Sequence, residues 1–223
     1  MQSKQKEKLL LLGATGRTGR LVLQNALAKG HAVNCLARNS NRIKPQEGLT
    51  IFEGNPINEN DLNKALVGCE TVISVLNISR KSDFPWSGLK TPKTYLSDVM
   101  EKLVSVAGEQ GIKKVVICSA WGVAESKDDI PKWFKWFIDN SNISYAYKDH
   151  ERQEQLLMAS NLKWTIVRPV GLVNSKRQQL IRETFGNQPK PSLTISRQSV
   201  AIYMLDALKN DRLIGKKVVV SKG

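Results

Sequence analysis

No stretch of the 223-residue chain approaches the roughly 18 consecutive apolar residues that a membrane-spanning helix needs. Met1 to Lys8 is polar and basic and lacks the apolar centre of a secretory signal, so export is not expected and a cytoplasmic location is. Cysteine is scarce. Cys35, Cys69 and Cys118 have no metal-ligand spacing, and two of them lie inside apolar runs, which points to buried reduced thiols and to no metal site. Acidic residues are outnumbered: 34 Lys and Arg against 20 Asp and Glu give a formal net charge of +14. Yet there is no basic tract of five or more, no zinc spacing and no RNA-binding signature. The densest basic group, Lys4, Lys6 and Lys8, is diluted by Gln and Glu. This fits a solvated basic surface that attracts anionic small molecules, with neither nucleic acid nor membrane as the expected partner.

What is present is alternation. Short apolar runs at Lys8–Gly13, Ala32–Arg38, Leu49–Gly54, Thr71–Asn77, Val115–Ala120 and Trp164–Pro169 read as strands buried on both faces, and Lys216–Val220 as a last strand. Between them lie segments of helical period: Arg17–Lys29, Glu59–Val67, Tyr95–Gln110, Lys148–Ala159 and Ser199–Leu208. Gly30, Gly68 and Gly111 stand where three of them stop. A β-α-β-α order without repeat or linker predicts a Rossmann-type, doubly wound, mostly parallel α/β sheet in one domain over residues 1–223. Two irregular stretches, near 79–92 and 121–142, each follow a strand. They therefore belong at the carboxyl end of the sheet, where open α/β folds bind ligands.

The first strand runs directly into Gly13-Ala14-Thr15-Gly16-Arg17-Thr18-Gly19, and a helix follows. Glycine there lets the backbone turn tightly and approach a pyrophosphate, and the free N–H groups of the helix N-terminus face the phosphates. Gly13, Thr15, Gly16, Arg17, Thr18 and Gly19 are thus candidate pyrophosphate residues of a nicotinamide dinucleotide site. The end of the second strand selects between NAD and NADP. An acidic residue would hold the ribose 2′-hydroxyl, but His31 to Gln46 contains none; it contains Arg38 and Arg42, which suit a 2′-phosphate. NADP(H) is the expected cofactor.

The G-x-x-G-x-x-G spacing, with Gly54-Asn55, Val72–Asn77, Val115–Ala120, Trp164–Leu172 and Ile195–Ala201, resembles the atypical short-chain dehydrogenase/reductases with an NmrA-like NAD(P)-binding fold. Within that group the chain is similar to the biliverdin-IX-beta reductase/flavin reductase branch. The resemblance implies that Asn55 stands near the adenine, in place of an Asp. Leu76, Asn77 and Ile78 would border the adenosine and nicotinamide halves, Ser119 would sit beside the nicotinamide, and Pro169 and Val170 would pass close to its amide. Classical members use Tyr-x-x-x-Lys as acid and pKa-lowering partner. No such motif occurs in this chain. By position the lysine falls on His150 and the tyrosine on Ala146, between Tyr145 and Tyr147. Ser119 and His150 are therefore the candidate catalytic residues.

Pro131 to Phe137 (PKWFKWF) places Trp133, Trp136 and Phe137 at helical spacing. Packing on the body is one expectation. Another is a lid over the nicotinamide, with Trp121 and Trp86 lining an apolar pocket for a planar substrate. A third is membrane contact, through the interleaved lysines. Two functions remain open: an NADPH-dependent reductase passing hydride to a planar acceptor (flavin, quinone or tetrapyrrole-like), and a non-catalytic NADP(H) sensor.

Overall fold

The computed structural model describes residues 7–175 and 177–223, so Lys4 and Lys6 of the basic group lie outside the described residues. Strand β1 (Lys8–Leu12) shows why the first apolar run must be central. Leu9 and Leu11 belong to one buried cluster and Leu10 and Leu12 to another, because successive side chains leave a strand on opposite faces. A strand with four successive leucines needs cover on both sides. Helices α1 (Arg17–Ala28) and α6 (Arg197–Lys209) pack together on one face, and α3 (Tyr95–Ala107) and α5 (Ile143–Met158) on the other.

The remaining strands are β2 (Ala32–Ala37), β3 (Leu49–Glu53), β4 (Thr71–Ser74), β5 (Lys114–Cys118), β6 (Lys163–Pro169), β7 (Gly171–Val173), β8 (Ile181–Thr184), β9 (Thr194–Ser196) and β10 (Lys216–Lys222). The main sheet runs β3-β2-β1-β4-β5-β6-β10-β8. All pairs in it are parallel except β8 with β10. The chain winds outward from β1 through β2 to β3, then returns to β4 on the other side of β1. That reversal leaves a crevice at the carboxyl ends of β1 and β4, where nothing crosses the sheet.

The architecture is the predicted one, and the differences from expectation are local. β4 stops at Ser74 and not at Asn77. Val75 still donates to the Leu12 carbonyl (3.0 Å), but the chain then peels off at the crevice. α5 begins at Ile143, five residues before Lys148, because Ile143, Ala146 and Tyr147 supply an inward face one turn earlier. The stretch 121–142 contains helix α4 (Lys132–Asp139), and the strands β7, β8 and β9 are too short and polar to show a period. Helix α2 (Glu59–Leu66) matches its reading to within a residue.

Two buried charges fix the frame. The Lys114 ammonium donates to the carbonyls of Ala207 (2.7 Å) and Asn210 (2.9 Å), satisfying the C-terminus of α6 with a cation. Arg168 on β6 is buried and forms a fork with Glu154 of α5 (3.0 and 2.5 Å) and a second with Glu125 (2.9 and 3.3 Å). Lys217 reaches Glu125 from β10 (2.6 Å).

Candidate active site

A cavity of about 570 Å³ opens at the crevice, and the glycine turn forms its floor. Gly13 has φ +91°, and a Cβ there would lie 3.0 Å from the Val75 carbonyl carbon and oxygen, at the point where β4 peels away. Gly16 donates to the Gly13 carbonyl (3.0 Å), closing the turn. Gly19 is the tightest of the three. A Cβ on it would meet the Gly13 oxygen at 2.0 Å, so helix α1 can lie against the turn only without a side chain there. α1 has no side-chain cap and no acidic residue in its first turn. Its leading N–H groups and dipole end are left to an anion.

Most of the predicted site residues line this one cavity: Gly13, Thr15, Gly16, Arg17, Thr18, Arg38, Leu76, Asn77, Ile78, Ser119, His150, Pro169 and Val170. Three do not. Gly19 is buried and acts through packing. Arg42 sits on an exposed helical turn, Ser40–Arg42, outside the cavity lining. Asn55 spends its side chain inside its own turn: Oδ1 accepts from the Ile57 N–H (3.3 Å), and the neighbouring Pro56 is the residue that reaches the cavity.

At one end of the cavity, Arg38 follows the last residue of β2, with its guanidinium 5.3 Å from the Tyr95 ring centroid. The nearest acid on the neighbouring strand, Glu53, lies outside the cavity lining. Glu53 pairs with Ala37 in register, and its carboxylate accepts from the Ser40 N–H and hydroxyl. Those bonds hold the Glu53 carboxyl below the usual range.

At the other end, Ser119 donates its N–H to the Val167 carbonyl (2.7 Å), while its hydroxyl is buried with no hydrogen-bond partner. Pro169 accepts from the Trp121 N–H (3.0 Å), and Val170 donates to Val220 (3.2 Å), so the rim is held by backbone. Ile143, Ala146, Tyr147 and His150 form one face of α5 toward the cavity. Burial pushes the His150 pKa down to about 4. The imidazole is therefore neutral at physiological pH. With Nδ1 assigned as acceptor from the Gln153 amide (3.4 Å), its proton lies on Nε2.

Sequence spacing missed Tyr147. Its hydroxyl donates to the Trp121 carbonyl (3.3 Å), and burial raises its pKa. The signal available was its place one turn before His150. Tyr145 points elsewhere and stacks under Lys93. Also missed were Arg80, Asp83 and Arg197, all on the cavity. The Arg80 Nε is buried without a partner. Arg197 donates to the Leu172 carbonyl (3.2 Å) and the Asn174 side chain (2.7 Å). The prolines and glycine of 79–92 marked this loop, but no motif marked its charges.

The aromatic segment divides. Phe134 and Trp121 line the cavity, as a lid would. The expectation that the other aromatics pack on the body is corrected for two of them, since Trp133 and Trp136 are 65% and 63% exposed. They occupy the outer side of α4, whose inward positions are taken by Phe134 and the buried Ile138. Trp86 lies outside the cavity and donates to the Asn140 carbonyl (2.6 Å).

The geometry fits a dinucleotide. Backbone donors and a glycine cradle lie at the crevice, and two buried polar groups, Ser119 Oγ and Arg80 Nε, lack partners. Among the described residues no cluster of three or more His, Cys, Asp or Glu could hold a metal, and no helix is long and apolar enough to cross a membrane.

Comparison with known proteins gives the family and the fold. A family model described as NAD(P)H-binding matches residues 13–211. A short-chain dehydrogenase/reductase from Veillonella parvula DSM 2008, solved in complex with NADP, superposes with a TM-score of 0.79 at 20% identity, covering 98% of this chain and 95% of that one. ChuY, an anaerobilin reductase from Escherichia coli O157:H7, superposes with a TM-score of 0.78 at 17% identity, covering 96% and 97%. The photosystem II assembly factor Ycf39 of Trieres chinensis is 26% identical over 201 residues, and that of Synechocystis sp. 25% over 224. These matches take in 89% and 94% of this chain, but the chain spans only 55% and 60% of the length of those two relatives.

Proposed function

The chain belongs to the NAD(P)H-binding family, and on that premise we propose that it is an NADPH-dependent oxidoreductase acting on a planar acceptor such as a flavin, quinone or tetrapyrrole-like molecule. The observation that carries this reading is the Ser119 hydroxyl, buried and unpartnered in the same cavity as the glycine turn and His150. An orphaned buried hydroxyl costs free energy, on the order of 1–3 kcal/mol, unless a ligand completes it. In this reading Ser119 orients the nicotinamide or the acceptor. The turn residues Gly13, Thr15, Gly16, Arg17 and Thr18 hold the pyrophosphate, with Gly19 setting their backbone. Arg38 takes the 2′-phosphate, and Arg80 adds a further cation.

When bound, NADPH supplies hydride from its nicotinamide ring. The chain's own part is to exclude water and to present flat walls, through Trp121, Phe134 and Tyr147. Neutral His150 can donate a hydrogen bond from Nε2 to an acceptor atom without bringing a charge into the pocket, and the proton taken up in the reduction comes from solvent. Tyr147 keeps its proton and its bond to Trp121, so it acts as wall and not as base. The chain works in the cytoplasm in this reading, with neither nucleic acid nor membrane as partner.

The NADP(H) sensor is the second reading. It is favoured by the absence of a tyrosine–lysine pair on α5 and by relatives named as assembly factors. One assay separates the two: NADPH with FMN, a quinone or a biliverdin, followed at the nicotinamide absorbance band. Acceptor-dependent oxidation is expected. Measurable NADPH binding with no oxidation by any acceptor would leave the sensor.

A further inference from the structure

Arg17 is the first residue of α1, where a cation meets the positive end of the helix dipole. It is held there by Asp83, through two bonds of 3.0 and 3.2 Å across 66 residues of sequence. Asp83 belongs to a strap, residues 79–92, that follows β4 and lines the cavity through Ser79, Arg80, Ser82 and Asp83. The strap is closed on itself: Lys90 donates to the Ser79 carbonyl (2.7 Å) and Lys81 to the Gly88 carbonyl (2.8 Å), with Arg80 and Leu89 bridged between them.

Its two attachments are unequal. The tip is fastened to the α4–α5 junction by Trp86 Nε1 to the Asn140 carbonyl (2.6 Å). Asn142 adds bonds from its side chain to the Trp86 and Ser87 carbonyls (2.8 and 3.2 Å) and from its N–H to Pro85 (3.1 Å). Among the described residues, the hydrogen bonds joining the strap to the glycine turn are the two between Arg17 and Asp83. That pair is 59% and 82% exposed, the kind of contact that contributes little to stability.

We propose that Asp83 is an internal anion that competes with the dinucleotide pyrophosphate for Arg17, so that cofactor binding releases the strap from the glycine turn and leaves it hinged on α4–α5. This rests on the reading of the cavity as a dinucleotide site. A single carboxylate pairs Arg17 well enough to hold the strap against the turn. A pyrophosphate that also collects the free N–H groups of α1 offers more partners than Asp83 can. Arg197, on the same cavity, is within the electrostatic reach of both Asp83 and Arg17. The strap is then an autoinhibitory latch, and Asp83 sets a lower NADPH affinity than the turn alone would give.

Calorimetric titration of the full chain with NADPH tests this. Asp83→Asn, at an exposed position, keeps the fold and is expected to tighten NADPH about two- to fivefold, the range set by an exposed ion pair. Asp83→Glu should restore the original affinity. In an Arg17→Ala background the Asp83→Asn substitution should have no effect. Tightening that persists there would come from plain charge repulsion and would overturn the competition. Unchanged or weaker binding by Asp83→Asn alone would also overturn it. If the unsubstituted chain does not bind NADPH, the dinucleotide reading itself fails, an outcome distinct from either of these.

Discussion

The Asp149 carboxylate accepts a hydrogen bond from the Leu96 N–H at 2.6 Å, and so caps helix α3 from a helix more than fifty residues away. It also takes the Ser97 hydroxyl (2.6 Å) and N–H (3.3 Å). The next residue along α5 is His150. The bond therefore fixes the rotation of α5 about its axis, and with it the face that carries Tyr147 and His150 into the cavity.

Asp149→Ala should leave the first turn of α3 without its acceptor and lower stability by about 1–3 kcal/mol. Urea denaturation measures the loss. An unchanged midpoint would mean that the cap is dispensable.

Arg168 and Glu154 form a pair buried at both ends. Arg168→Met strands the buried Glu154 carboxylate and should cost several kcal/mol, about 3–5 by the usual measure of a broken buried pair, whereas Glu154→Gln leaves Arg168 its fork to Glu125 and should cost less. Replacing both with apolar residues of similar volume, Glu154→Leu with Arg168→Met, should recover much of that loss. Additive losses in the double variant would argue against a coupled pair.

His150 gives a pH prediction with a definite sign. Burial lowers its folded pKa from 6.5 to about 4. The unfolded chain therefore takes up a proton on this residue before the folded chain does. Its contribution to stability is complete above pH 6.5 and is lost as the pH falls from 6.5 toward 4. His150→Phe should flatten that part of the stability–pH curve. A folded-state imidazole titrating near 6.5 by NMR would refute the assignment.

Arg38→Ala should weaken NADPH binding by about tenfold or more and leave NADH nearly unchanged, since a charge-assisted guanidinium–phosphate bond is worth about 1.5–3 kcal/mol. Equal losses for the two cofactors would remove Arg38 from the 2′-phosphate.

The glycine turn and the central strands were legible because both are local. β1 carries four leucines in a row after Lys8. Gly16 and Gly19 are required by contacts inside the seven-residue turn, and Gly13 by its own positive φ, although the neighbouring Val75 also presses on it from the end of β4. Ser119 and His150 could be placed because each lies at a position that the resemblance marks, and both reach the cavity. Arg42 is read from its charge after the second strand and Asn55 from the resemblance; the structure puts the first on an exposed turn and the side chain of the second inside its own turn, both outside the cavity lining.

Sequence by itself determined the doubly wound sheet and the dinucleotide turn, since alternation of period and the steric demand for glycine act over short spans of chain. Tertiary structure alone decided the wall and the charges of the cavity. Tyr147 faces it because Asp149 fixes the roll of α5 against α3. Glu53 stands beside the end of β2 because parallel strands place residues sixteen apart side by side. Asp83 reaches Arg17 because the return from β3 to β4 opens a crevice that the following loop must cross. Such contacts depend on how separate elements meet, and no spacing along the chain encodes that meeting.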